Sequence, residues 1–352
     1  MVAKQITNAV QRLSLKLHEL DLEKLAISEY NRQYLQRYID QYAFYMSIYS
    51  QLFSKAISRL NKPISESVFV DYGGGCGMLS FVAFEMGFKK VIYNDIYPVS
   101  VADVKTICKA LDIKIDQFIE GDIIAFVHQV NMENIKPDLI CSFDVLEHIY
   151  DLEKWFHTIA KIDHNFTLLF MTNANALNPI IARRLKKLQI KAENEGLPKT
   201  KGWKEIDEST SFLALRKNII SSKFPELGGE EIELLSAKTR GLRKEDIEKV
   251  VKDYIETGKI AYRIGHPTNT CDPYTGNWTE RLIDLKQLKA MIIKNNLLFD
   301  ISNSFYGYSN NKMLNLPKFL INQLIKILGK RHLFLSPTYT LEIQKNLVNW
   351  KT

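Results

Sequence analysis

Cysteine is scarce in this chain: four among 352 residues, at 76, 108, 141 and 271. They show no paired spacing of the kind that holds zinc, and a framework of disulfides is excluded. They read as free thiols in a reducing cytoplasm. No apolar run is long enough to span a bilayer. The first residues also lack the unbroken apolar core of a secretory signal, because Lys4, Gln11, Arg12 and Lys16 interrupt them. Two phosphate-binding signatures are missing as well. No Gly-Lys-Ser/Thr occurs in a P-loop setting, and no G-x-G-x-x-G can be laid on the glycine cluster, since a count from Gly73 puts Met78 where the third glycine belongs. What remains is a chain 46% apolar and 25% charged, enough for one large α/β core with an accessory region.

The glycine cluster is the most informative stretch. Residues 67–80 read SVFVDYGGGCGMLS. An apolar β-branched run ends in Asp71, glycines recur at Gly73, Gly75 and Gly77, and a helical apolar stretch follows. Such glycines allow backbone angles closed to other residues and let a ligand lie against the main chain. The turn aims helix N-terminal amides at that ligand. It can also be a tight turn with no ligand at all.

Three further segments follow in register. Val91–Pro98 (VIYNDIYP) is a second strand ending in Asp95, where a carboxylate can take both ribose hydroxyls of a nucleotide, or simply cap the helix that starts near Val99. Ile115–Ile119 is a third short strand, followed by Glu120-Gly121-Asp122, where Asp122 can cap the helix 123–130. Leu139–Phe143 is a fourth strand, and Asp144 opens the loop at its carboxyl end, where ligands of open α/β sheets sit.

The string from Asp71 to Gly77, with Asp95, EGD and the run F-D-V-L-E-H at 143–148, resembles the class I S-adenosylmethionine (SAM) dependent methyltransferases, and within them the ubiquinone-biosynthesis O-methyltransferase-like branch. The resemblance covers residues 67–178, with a weaker return near 265–305. It departs at Thr172-Asn173-Ala174-Asn175, where relatives often have a Pro-Asn-like turn after strand 5. The fold it implies is α/β: a Rossmann-like doubly wound sheet of seven strands, strand 7 antiparallel between strands 5 and 6, with an N-terminal helical lid and a helical insertion after strand 5. The implied cofactor is SAM, leaving as S-adenosylhomocysteine. Asp71, Gly73, Gly75 and Gly77 would surround its amino-acid end, Asp95 and Ile96 its ribose, and Asp122 and Ile123 its adenine.

Four regions are expected along the chain: N-terminal helices over 1–65, the SAM-binding core over 66–175, a helical cap over 176–260, and completion of the core over 261–352. In the first, Tyr30, Tyr34, Tyr38, Tyr42, Tyr45 and Tyr49 recur at steps of four and three, which predicts six tyrosines on one helical face. Most would simply pack; Tyr38 or Tyr42 is the candidate to close over cofactor or substrate. The insertion holds a Gly/Pro/Lys loop over Glu193–Gly202 and a helix over Lys244–Glu256. The last strand is expected over Phe334–Gln344, whose alternating Thr338, Thr340 and Glu342 suit a sheet edge.

Methyl transfer to a neutral oxygen or nitrogen needs a proton removed. His148 is the candidate base, with Asp144 beside it as a second catalytic candidate. Asp144, Glu147 and His148 put two carboxylates and an imidazole within five residues, a set able to hold a divalent ion. The plainer reading has Glu147 and His148 brace the next helix, and no metal is expected. The loop 263–282, RIGHPTNTCDPYTGNWTERL, offers His266, Tyr274, Trp278 and Arg281 as substrate contacts, with Asp272 among them; it can also be a connector with Trp278 buried.

The charge is uneven. Residues 311–352 carry seven Lys/Arg against one Glu, and 183–204 carry eight against two. A basic amphipathic helix over 316–329 can lie on an anionic membrane surface through 316–331, or pack on its own core with its lysines in water. Nucleic acid is not expected as a partner, since no binding motif accompanies the mild basicity and no Asn-Pro-Pro-Tyr-type motif follows strand 4. The expected activity is SAM-dependent methylation of a small-molecule or lipid-linked acceptor, at oxygen, in the cytoplasm or at the membrane surface. The alternatives are a SAM-binding protein without turnover and, against Met78, a nicotinamide oxidoreductase.

Overall fold

The structure, a computed structural model, describes residues 2–197, 210–308, 312–329 and 332–345. The latter half of the loop expected over Glu193–Gly202, and residues 330–331 of the basic segment, lie outside the described residues. The chain divides into two compact units: residues 1–146, 151–173 and 285–352 form one, and residues 147–150 with 174–284 form the other. Residues 261–284, expected to complete the core, thus fall with the insertion.

The first unit begins with helices α1 (Val2–His18), α2 (Glu29–Asp40) and α3 (Tyr42–Ile57). α1 buries Ile6, Ala9, Leu13 and Leu17, one stripe of a helix. Its other side sends Arg12 and Lys16 to the buried Glu85 carboxylate. The tyrosine series does not run along one helix. Gln41 leaves helical geometry (φ −114°, ψ 31°), so Tyr30, Tyr34 and Tyr38 belong to α2 and Tyr42, Tyr45 and Tyr49 to α3. Tyr42 donates to the carbonyl of Val10, and the Tyr38 and Tyr49 hydroxyls meet at 2.6 Å. The two tyrosines proposed to close over a ligand are therefore engaged in holding the helices together.

The sheet follows: β1 (Val68–Tyr72), α4 (Met78–Glu85), β2 (Lys90–Asp95), α5 (Pro98–Ala110), β3 (Gln117–Glu120), α6 (Ile123–Met132), β4 (Leu139–Phe143), α7 (Leu152–Ile159) and β5 (Phe166–Thr172). After the insertion, α12 (Leu285–Lys294), β6 (Leu298–Asn303), α13 (Lys312–Leu328) and β7 (Tyr339–Lys345) complete it. Strand order is β3-β2-β1-β4-β5-β7-β6, with only β7 antiparallel to its neighbours. This is the expected Rossmann-like doubly wound α/β sheet. Its direction of winding reverses between β1 and β4, which opens a crevice at their carboxyl ends.

The alternation in the last strand does not mark an edge. β7 lies inside the sheet, and its polar side chains meet cations of α3 and of the turn just after it. Lys55 Nζ donates to Thr340 Oγ1 at 2.9 Å, to Ser302 Oγ at 2.9 Å and to the carbonyl of Asn303 at 2.7 Å. Arg59 pairs with Glu342.

The second unit contains α8 (Pro179–Asn194), α9 (Phe212–Lys223), α10 (Gly229–Lys238) and α11 (Lys244–Thr257). Ile219, Ile220, Phe224, Leu235, Ile247 and Val251 form an apolar core for it. Beside that core Arg216, fully buried, forms an ion pair with Glu193 and donates to the carbonyl of Ser236; Thr270 Oγ1 donates to the same carboxylate at 2.7 Å.

Candidate active site

The β1–α4 turn is built around three glycines with left-handed backbone: Gly73 (φ +68°), Gly75 (φ +52°) and Gly77 (φ +86°). They differ in what surrounds them. A Cβ on Gly73 would stand 2.6 Å from Val145 Cγ2, and one on Gly77 2.8 Å from the Phe81 ring. A Cβ on Gly75 would meet nothing within 4 Å. Gly75 is the open rung of the turn. Its backbone is nonetheless pinned, because its N–H donates to Asp95 Oδ2 at 2.8 Å and its carbonyl accepts from Tyr93 Oη at 2.5 Å.

The two strand-ending acids behave differently. Asp71 is buried, and its Oδ2 accepts from the Ser80 N–H (3.0 Å) and Ser80 Oγ (2.8 Å), so it holds the first turn of α4. Burial raises its pKa to about 7 against the pull of those two bonds. Asp95 accepts from Gly75 N–H through Oδ2 and from Tyr97 N–H (2.9 Å) through Oδ1. The next residue, Ile96, is apolar and yet 56% exposed. A carboxylate at a strand tip beside an exposed apolar side chain suits a ribose and the edge of a base.

β3 delivers the next segment to the same end of the sheet. Gly121 N–H donates to the carbonyl of Asp95 at 2.9 Å, and Asn94 Nδ2 to the carbonyl of Gly121 at 3.1 Å. Asp122 caps α6 by accepting from the N–H groups of Ile124 (2.9 Å) and Ala125 (3.1 Å). Ile123 is buried and Ile124 exposed, so the apolar wall facing solvent here is Ile124.

Asp144 leaves β4 with φ +54°, a left-handed angle unusual for a residue with a side chain. Its carboxylate is fixed by Asn173 at the end of β5, which donates through its N–H (3.0 Å) and its Nδ2 (2.6 Å). Asn173 thus has a defined task that the sequence reading did not assign. Its place just after a strand at the sheet's carboxyl edge was the signal available.

Two tyrosines of α2 complete this side. Ser28, which caps α2, and Asn31 both bond Asp103 of α5, which docks the start of the helix on α5. Tyr30 and Tyr34 meet edge to face, with centroids 5.0 Å apart. Burial raises the Tyr30 phenol well above its usual range, and Tyr34, Asp95, Tyr97 and Cys76 add to the rise. Tyr34 is raised by burial and then by Cys76. Tyr38 is raised by burial and then by Tyr49 and Cys76, so it too feels the glycine turn, whereas Tyr42 is raised by burial and Glu85.

The second unit holds the remaining candidates. His148 Nδ1 lies 2.7 Å from the carbonyl of Trp278, so Nδ1 carries the proton and the basic lone pair belongs to Nε2. Trp278 stacks on Tyr150 (centroids 6.1 Å, planes 19° apart), and the Arg281 guanidinium lies 4.6 Å from its ring centre. Arg243 lies 4.9 Å from the Tyr150 ring, whose hydroxyl donates to Asp246 at 2.6 Å. Trp278 is thus engaged in an aromatic–cation stack and only partly buried. His266 Nδ1 accepts from the N–H groups of Thr268 (3.3 Å) and Asn269 (3.2 Å), which bends its own loop. Asp272 does the same for Tyr274 and Thr275, leaving the Tyr274 side chain exposed. Among the described residues no three His, Cys, Asp or Glu are grouped to hold a metal ion.

Residues 64–217 match the family model described as a methyltransferase domain. Solved structures with similar folds include a SAM-dependent methyltransferase from Clostridium acetobutylicum (19% identity, covering 39% of this chain and 54% of that one, TM-score 0.31). Another is a SAM-dependent methyltransferase from Mesorhizobium loti (11% identity, 83% and 97% covered, TM-score 0.37). The match to the first spans about half of that chain's length. No curated protein matches this sequence.

Proposed function

We propose that this protein transfers a methyl group from SAM to an oxygen of a small-molecule or lipid-linked acceptor. The observation that carries the donor side is the pinned glycine turn. Gly75 presents an open backbone face between Asp95 and Tyr93, and that is where a ligand's polar end can lie against the chain. The residues fit the group. Turn amides and carbonyls suit the amino-acid end, Asp95 suits the ribose diol, and Ile96 with Ile124 offers apolar cover to the base. SAM supplies an electrophilic sulfonium methyl, so the protein's part is to align, to exclude water and to handle one proton.

Asp144, fixed by Asn173, keeps a negative charge at the carboxyl end of β4, suited to hold the donor's cationic end or an acceptor hydroxyl. His148 supports acceptance of a proton. The Trp278 carbonyl fixes its Nδ1–H tautomer, so Nε2 is the atom that takes the acceptor's proton as the C–O bond forms. An imidazole base serves an oxygen or a nitrogen acceptor alike; the choice of oxygen rests on the resemblance of residues 143–148 to O-methyltransferases, and Arg281 and Tyr274 are the residues proposed to touch the acceptor.

The test is calorimetric titration with S-adenosylhomocysteine of wild type and Asp95→Ala, with NADH as control, followed by an acceptor screen. Micromolar binding of the homocysteine product, lost in the variant, supports the reading. Binding of NADH instead, or of neither by ligand-free protein, refutes it.

A further inference from the structure

One helix of the first unit turns an apolar face to solvent. In α13, Met313, Leu316, Leu320, Leu324 and Ile327 follow one another at steps of three and four, which places them on one stripe. All five are between 51% and 86% exposed. The helix cannot roll to hide them, because its opposite side is fastened. Asn322 accepts from the Tyr306 N–H at 2.7 Å and donates to the Tyr306 carbonyl at 3.0 Å, Lys318 Nζ donates to the carbonyl of Gly307 at 2.9 Å, and Ile325 is fully buried. Phe319 and Phe334 are also about half exposed. A row of large apolar side chains held outward like this marks an interaction surface.

Charge decides what covers it. From Ile301 to Leu341 the sequence has no Asp or Glu, and five Lys or Arg. Lys326 lies at the flank of the stripe, exposed, with its Nζ 5.7 Å from the Phe305 ring centre. Two copies joined stripe to stripe would bring two such acid-free segments together. An anionic lipid surface offers both requirements at once: acyl chains for the stripe and negative headgroups for Lys326. No helix among the described residues is long and apolar enough to cross a membrane, so the contact would be interfacial.

We propose that α13 anchors the protein on anionic membrane surfaces, its stripe bedded at the headgroup boundary with Lys326 beside it. The test is sedimentation of the full chain with phosphatidylcholine vesicles, with and without phosphatidylserine, at low and raised salt. Wild type should bind the serine-containing vesicles and bind less at raised salt. Leu320→Gln/Leu324→Gln should weaken that binding at least ~10-fold, while keeping thermal stability and S-adenosylhomocysteine affinity, because both leucines face solvent. Lys326→Gln, a milder change, should weaken binding to the anionic vesicles alone. The proposal fails if wild type ignores phosphatidylserine or if the double variant binds like wild type. It also fails if wild type is a dimer in sedimentation velocity and the double variant a monomer, since the stripe would then cover a second copy.

Discussion

Gly75→Ala separates a cofactor cradle from a merely structural turn. Alanine at φ +52° pays the left-handed penalty, about 1–2 kcal/mol. No other cost arises in the protein alone, because the new methyl would meet no atom within 4 Å. Melting temperature should therefore fall by a few degrees, ~2–8 °C. Binding should suffer more. The backbone cannot swing the methyl aside, since Asp95 and Tyr93 hold both polar groups of Gly75. A methyl forced against a bound ligand costs about 1–3 kcal/mol, as overpacking does, which is roughly 5- to 150-fold in affinity. Gly73→Ala is the contrast. Its methyl would stand 2.6 Å from Val145 Cγ2, so it should lose stability and binding together. Calorimetry with S-adenosylhomocysteine and thermal melts on the three proteins read the two quantities. If Gly75→Ala binds within about twofold of wild type while melting lower, the open face of the turn is not where the ligand lies, and the cradle reading is wrong.

Other outcomes can be set beside it. His148→Gln should lower turnover by ~10²–10⁴ with the product affinity unchanged; a parallel loss of affinity would make His148 a binding residue and not a base. Arg216→Met should destabilise by about 3–5 kcal/mol in urea unfolding, by stranding the buried Glu193 carboxylate, and Glu193→Gln in the same protein should restore much of it; a loss under about 1 kcal/mol would mean that the pair is not closed. Asp71 titrates near 3.8 when unfolded and at about 7 when folded, so between those values the native state holds a proton that the unfolded state lacks. That contribution to stability is present at the acid end, declines as pH rises across the window and is gone above it. Asp71→Asn should flatten the slope, and a wild-type-minus-variant difference in urea midpoint that stays constant across the window would show that Asp71 is ionised in the fold.

What the sequence made legible was local. The strand, glycine turn and helix at 67–85 could be read because three left-handed glycines within five residues leave a composition mark between an apolar β-branched run and an apolar helical stretch. The tyrosine series was misjudged because periodicity does not register a break made without glycine or proline. Gln41 ends α2 through backbone angles alone, and the steps of four and three continue across it. β7 looked like an edge because its polar alternation was attributed to water, whereas Lys55 and Arg59 supply its partners from nearly 300 residues earlier in the chain. The Asp144–Asn173 and Glu193–Arg216 pairs were hidden for the same reason. Each joins side chains distant in sequence, in segments where a charge or an amide would be ordinary on a surface.

Asp71 and Asp95 show how far one pattern can mislead about role. Both end a strand of the same sheet, both precede a turn and a helix, and the sequence reading gave both to the cofactor. The side chains divide the work. Asp71 has turned inward, and both of its bonds go to Ser80, so what it contributes is the placement of α4. Asp95 reaches across to Gly75 and stands next to the one exposed isoleucine of that strand end. Loss of Asp71 should therefore act on stability first and on ligand through the helix, whereas loss of Asp95 should loosen the turn and remove a ligand partner together. Asp71 orders the start of α4, whereas Asp95 both pins the glycine turn and stands at the strand tip proposed for the ribose. The field of Asp95 also adds to the rise at Asp71 that burial begins.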